Sequence, residues 1–126
     1  MGDKKKVVYI SGAITGVPKY WEAFERAEDD LTALGYIPLS PARLPQGMTN
    51  EQYTRIDLAM IGSADAVLFL PRWSESDGAT LERDYCDYTG KPVVLLKEFD
   101  ATGVHRNPAE VRLAWLKNDL EEVLGK

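Results

Sequence analysis

The chain has 126 residues, 44% of them hydrophobic and three of them Trp, which suits a single domain over residues 1–126 with a substantial core. Lys and Arg number 15 against 20 Asp and Glu, a formal charge of −5 spread along the chain, which argues against a nucleic-acid duplex as partner because such binding needs a basic face. A single Cys and a single His exclude an intramolecular disulfide and a Cys/His zinc site.

The first elements follow from β-branched and apolar runs. After Lys4-Lys5-Lys6 come only about five apolar residues, too few for a signal-peptide core or a membrane span, so the expected location is the cytoplasm with no membrane partner. Val7-Val8-Tyr9-Ile10-Ser11 reads as a central buried strand. The loop from Gly12 to Pro18 has two glycines among small residues. It either lets the backbone approach a ligand closely or is a plain strand-to-helix turn. Apolar residues at Tyr20, Trp21, Phe24, Ala27, Leu31 and Leu34 have helical spacing, and Gly35 closes that helix.

Tyr36 to Leu39 is a short second strand whose Pro38 suggests a sheet edge. Ser40 to Met48 is a loop, either a flap over a site or a crossing of the sheet's end. Thr49 and Gln52 form a capping box for a helix from about Asn50 to Ser63, with an expected inward stripe of Tyr53, Ile56, Met60 and Ala64. Asp57 falls on or beside that buried face. A buried charge is costly, so Asp57 requires a ligand hydroxyl or a partner, failing which it is a helix-edge residue paired with Arg55 or a backbone N–H.

The run Asp65 to Leu70 reads as a third strand and leads into Ser74-Glu75-Ser76-Asp77-Gly78-Ala79-Thr80-Leu81-Glu82. Strand, polar loop and helix start occur there in the order in which an open α/β sheet presents a ligand site. Arg72-Trp73 either stacks on a planar base or packs the loop. Asp77 is the expected N-cap of a helix to Thr89, ended by Gly90. Glu82 shares a face with Ala79, Tyr85 and Cys86, so a second carboxylate stands where the pattern calls for a hydrophobe.

Pro92 to Leu96 is a fourth strand, Lys97 to Arg106 a polar loop holding His105 without a catalytic role, and Asn107-Pro108-Ala109-Glu110 the cap of a last helix. That helix has a broad apolar face of Val111, Trp115, Leu116, Leu120, Val123 and Leu124, fit for the core or a dimer interface. Strands alternating with helices predict a three-layer, doubly wound, flavodoxin-like or Rossmann-like α/β domain with a parallel sheet of four or five strands. No metal or cofactor is expected.

Five pieces, Val8-Tyr9-Ile10-Ser11-Gly12, Arg55-Ile56-Asp57-Leu58, Ala64-Asp65-Ala66-Val67, Gly78-Ala79-Thr80-Leu81-Glu82 and Gly90-Lys91-Pro92-Val93, together resemble the nucleoside 2-deoxyribosyltransferase superfamily. The likeness is greatest to its small, often phage- or prophage-associated branch, and the chain is also similar to the nucleotide N-hydrolases. The resemblance implies that Glu82 attacks the anomeric carbon, that Asp57 orients sugar and nucleophile, and that Tyr9 hydrogen-bonds near the nucleophile. Ser11, Gly12, Ala13, Ile14, Thr15 and Gly16 would surround the sugar 5′ end, with Ser76 and Gly78 also against substrate.

Cleaving an N-glycosidic bond builds positive charge on the sugar, which a carboxylate stabilises or traps as an ester while an acid, here Asp77 or Asp57, helps the base leave. Ser76, six residues before Glu82, matches relatives that hydrolyse 5′-monophosphates, where transferases of free nucleosides carry Asp; Thr15 stands where those hydrolases carry Arg. The implied partners are a nucleoside or nucleotide and further copies of the chain, one of which completes the site. The alternatives are a nucleotide-binding or sensing module without turnover and a flavodoxin-like FMN carrier.

Overall fold

In the computed structural model, residues 4–97 and 108–125 are described. Strand β1 (Val7–Ser11) leads to helix α1 (Tyr20–Ala33), strand β2 (Ile37–Leu39), helix α2 (Asn50–Ser63), strand β3 (Ala66–Phe69), helix α3 (Asp77–Thr89), strand β4 (Val93–Leu95) and helix α4 (Pro108–Leu124). The strands pair in parallel in the order β2-β1-β3-β4, so the Pro38 strand takes an edge, as its missing donor requires. Tyr9 lies between Leu39 on β2 and Val67 on β3, and Ser11 lies opposite Phe69. The chain leaves β1 towards one edge and β3 towards the other. Their carboxyl ends therefore flank the crevice where such a sheet receives ligands.

Period-two alternation divides the core between the two faces of the sheet. Val8, Ile10, Leu68 and Val94 pack with Phe24, Ala27 and Leu31 of α1 and with Leu116 and Leu120 of α4. Tyr9, Val67 and Phe69 face the other way, onto Ile61 of α2 and Cys86 of α3. Helices cover both faces, which is the expected three-layer doubly wound architecture, with four strands among the described residues.

Helix ends follow local chemistry closely. Thr49 and Gln52 form the reciprocal capping box, and Gly90 closes α3 at φ 75°, a conformation glycine adopts without a Cβ penalty. The cap of α3 differs from expectation. Ser76, not Asp77, is the N-cap, accepting from Ala79 N at 3.2 Å, and Asp77 is the first residue of the helix. Either side chain satisfies the geometric requirement, and because the Ser76 hydroxyl takes it the helix begins at Asp77, one residue earlier than an Asp77 cap allows.

Three apolar stripes also differ. On α2 the buried residue is Ile61, with Asp57 and Leu58 half-buried beside it, while Ile56 and Met60 line a surface groove with Leu39, Arg55, Ala59 and Ser63. Of the expected stripe, Ala64 is buried and Met60 also packs against the core, while an inward position beside them is taken by the Asp57 carboxylate, which the apolar pattern passes over. On α1, Trp21 is 46% exposed and meets Tyr20 edge-on with ring centroids 5.4 Å apart. On α4, Trp115 and Val123 are exposed while Leu116 and Leu120 are buried. The segment 98–107, with His105 and the Asn107 cap, lies outside the described residues. None of the described helices is long and apolar enough to cross a membrane.

Candidate active site

Four side chains from three elements meet at the crevice. Tyr9 and Ser11 stand two residues apart on β1 and so point to the same face, towards α2 and α3. Glu82 is on α3, one helical turn after Ala79 and one before Cys86, and all three are buried. Asp57 comes from the inward side of α2. Glu82 is only 8% exposed, and its Oε1 accepts two hydrogen bonds: from Ser11 Oγ at 2.7 Å and from Tyr9 OH at 3.2 Å. Both donors are completely buried.

Burial is the largest influence on Glu82 and holds its carboxyl above the usual range. The Ser11 hydrogen bond opposes it, the Asp57 charge reinforces it, and the Tyr9 hydrogen bond opposes it again. Asp57 is likewise raised, by burial first and against the pull of its interaction with Glu82. Asp57 Oδ1 is buried and has no donor. Two ionised carboxylates offer each other no donor, so burial of the pair favours protonation over a second negative charge. The Tyr9 phenol is driven well above its ordinary range by burial, then by Glu82 and Asp57, and stays a donor at every working pH. Burial pushes the Cys86 thiol up to about 11, which keeps it protonated and inert.

The rim is built by the loops after β1 and β3. Gly12 packs so closely on Leu70 that a Cβ there would lie 3.0 Å from Leu70 Cδ1. Gly16 turns the loop at φ 76°, with Val17 N bonded to Ile14 O at 3.1 Å. Ala13 is half-buried, Ile14 packs against the core on the α1 side, and Thr15 and Gly16 are exposed. Ser76 spends its hydroxyl on the α3 cap, and Asp77 is exposed at that helix start. Gly78 is exposed, with Ser76 Oγ at 3.8 Å the nearest atom to an added Cβ. Trp73 packs edge-on against Phe69 with centroids 5.3 Å apart. Arg72, also in this loop, holds a left-handed φ of 66°, an uncommon conformation for a residue with a Cβ.

Glu82, Asp57, Tyr9 and Ser11 are thus brought together as a buried cluster, with Gly12 beside it. Ser11, expected with the loop around the sugar, instead directs its hydroxyl at Glu82. The strand period carried that signal, because Tyr9 and Ser11 share a face. The Ser40–Met48 loop is anchored on both sides. Tyr53 OH donates to Pro45 O at 2.7 Å, and Arg43 donates to Glu28 Oε1 through Nε at 3.0 Å and Nη2 at 2.8 Å. Among the described residues no group of three or more His, Cys, Asp or Glu is placed to hold a metal ion.

Fold and crevice together define an α/β domain with a buried acidic pair at the switch point of its sheet. Residues 6–95 match the family model described as Domain of unknown function (DUF4406), and the chain belongs to that family. Among solved structures, the chain is similar to a 2-deoxyribosyltransferase from the psychrotolerant bacterium Bacillus psychrosaccharolyticus: TM-score 0.57, 22% identity, 71% of this chain and 70% of that one covered. It is similar also to the 2-deoxyribosyltransferase of Leishmania mexicana, with TM-score 0.58 and 24% identity over 72% of this chain and 63% of that one. These likenesses establish the shared fold and bear out the fold expected from the five sequence pieces. Comparison with curated protein sequences gives no match.

Proposed function

We propose that the protein cleaves or exchanges the N-glycosidic bond of a (deoxy)nucleoside or nucleoside 5′-monophosphate, with Glu82 as nucleophile. The observation that carries the reading is the Glu82 carboxyl, buried at the carboxyl end of the sheet, held by two donors and adjacent to a second carboxyl. A buried glutamate with this environment is poorly explained by packing, since an apolar residue would fill the place without the cost of desolvation. The shared fold with enzymes named as 2-deoxyribosyltransferases supports the same reading.

In the reaction, a Glu82 oxygen forms a bond to the anomeric carbon as the carbon–nitrogen bond breaks. The electron pair leaves on the base nitrogen, which takes a proton from Asp57 or Asp77. Water or a second base then attacks the anomeric carbon, releases Glu82 as carboxylate and returns the proton. Tyr9 and Ser11 hold Glu82. The loop 12–16, Ser76 and Gly78 surround the sugar and its 5′ group, and a neighbouring copy of the chain completes the site. No metal or cofactor enters these steps.

The test is incubation of the protein with a panel of nucleosides and 5′-monophosphates, with and without a second free base, followed by chromatography. Base release or base exchange is the expected result. Thermal stabilisation by nucleotides with no base released after long incubation would replace it with a binding module. A purified protein that takes up FMN would favour the carrier.

A further inference from the structure

We infer that Ser11 is a positioning residue for Glu82: with Tyr9 it holds Oε1 and so leaves Oε2 as the oxygen that attacks the anomeric carbon. The inference rests on the nucleophilic role proposed above and assigns the two oxygens different work. An isolated carboxylate has two equivalent oxygens, and its terminal torsion is broad and two-fold. Here both donors converge on one of them, Ser11 Oγ at 2.7 Å and Tyr9 OH at 3.2 Å.

Ser11 suits the task because its backbone is fixed. It ends β1 opposite Phe69, and its carbonyl accepts from Leu70 N at 2.8 Å, so the hydroxyl stands on a paired strand end. The residue is 0% exposed, which leaves the hydroxyl no solvent with which to exchange its bond to Glu82. A hydrogen bond to a carboxylate is stronger than a neutral one, and the shorter of the two comes from Ser11.

The consequence runs through both halves of the reaction. When Oε2 forms its bond to the anomeric carbon, the carbon–nitrogen pair departs with the base, and Oε1 becomes the ester carbonyl, still accepting from Ser11 and Tyr9. When water or a second base attacks the same carbon, Oε2 leaves with the bonding pair, and the two donors at Oε1 stabilise the carboxylate that forms. The attacking group's proton passes to the carboxyl that gave one to the base. Losing the Ser11 donor slows both steps and leaves sugar binding intact, so the effect falls on kcat rather than KM.

The experiment compares wild type, Ser11→Ala, the near-isosteric weak donor Ser11→Cys and Tyr9→Phe. Two quantities are measured: the Glu82 titration, by NMR of carboxyl-labelled glutamate, and kcat and KM on the substrate found in the panel. The titratable groups facing Glu82 are Asp57 from α2, Tyr9 from β1 and Cys86 on its own helix, and they are unchanged in the Ser11 variants. Ser11→Ala is expected to raise the Glu82 titration, to move the acid limb of the rate profile to higher pH, and to lower kcat about ten- to hundred-fold with KM held. Ser11→Cys is expected to fall between it and wild type, and it carries the test if the Ala variant does not fold. A folded Ser11 variant whose Glu82 titrates as in wild type, or whose kcat is unchanged, overturns the inference. A shifted titration in a protein that releases no base from any substrate overturns the nucleophilic role, and with it the assignment of Oε2.

Discussion

Asp57 and Glu82 bring two carboxyl groups from different helices to one buried crevice, and each acts on the titration of the other. Burial raises both carboxyls and so favours their protonated forms in the folded chain. Stability should record this directly. Glu82 titrates higher in the folded chain than unfolded, so its contribution to stability is complete below the unfolded value and is lost as pH rises through the folded one. Glu82→Gln keeps an acceptor for Ser11 and Tyr9 and removes the charge. Its melting temperature should match wild type near pH 4 and exceed it at pH 8 by several degrees, on the order of 1–3 kcal/mol, read by thermal denaturation across pH.

Asp57→Asn should shift the rate profile in the direction opposite to Ser11→Ala. The charge of Asp57 raises Glu82, so removing it lets Glu82 ionise at lower pH and moves the acid limb down. The rate itself should fall about a hundred-fold or more where Asp57 protonates the base. A profile of kcat/KM against pH reads both effects.

Two glycines at the crevice should respond differently to alanine. At Gly12 a Cβ meets Leu70 Cδ1 at 3.0 Å and Leu70 Cβ at 3.1 Å, so Gly12→Ala should cost about 1–3 kcal/mol in urea unfolding. At Gly78 the nearest atom is 3.8 Å away and the residue is helical, so Gly78→Ala should leave stability equal or slightly raised. A loss of activity in that folded variant places substrate against the added methyl group.

Much of this arrangement is legible in the chain, and the exceptions have physical causes. The α2 capping box, the four strands and the closing Gly90 are local signals, each satisfied within a few residues. Glu82 and Asp57 stood out because each interrupts an apolar face. The burial of Ile61 on α2 did not, because Ile56 and Met60 carry the apolar signal, and of these only Met60 packs against the core. Ser76 and Asp77 both cap helices well, and only the observed bond to Ala79 N decides between them. The strand period puts Ser11 on the same face as Tyr9, but its partner Glu82 is 71 residues away and only the fold joins them.

Long range also hides the tie between the first and last helices. Arg112 of α4 donates to Asp30 of α1 through Nε at 2.7 Å and Nη2 at 3.1 Å, and Asp30 is 6% exposed. Removing one member leaves a buried charge unpaired. Arg112→Ala should therefore cost about 2–4 kcal/mol by chemical denaturation, and the double change Asp30→Asn with Arg112→Met should cost less than Arg112→Ala alone.

The central claim is that the Glu82 carboxylate forms the bond to the sugar, and base release by Glu82→Ala tests it most directly. On a substrate turned over by wild type, with folding verified by circular dichroism, the account predicts no base above the uncatalysed background. Base release at the wild-type rate from the folded Glu82→Ala protein would contradict it.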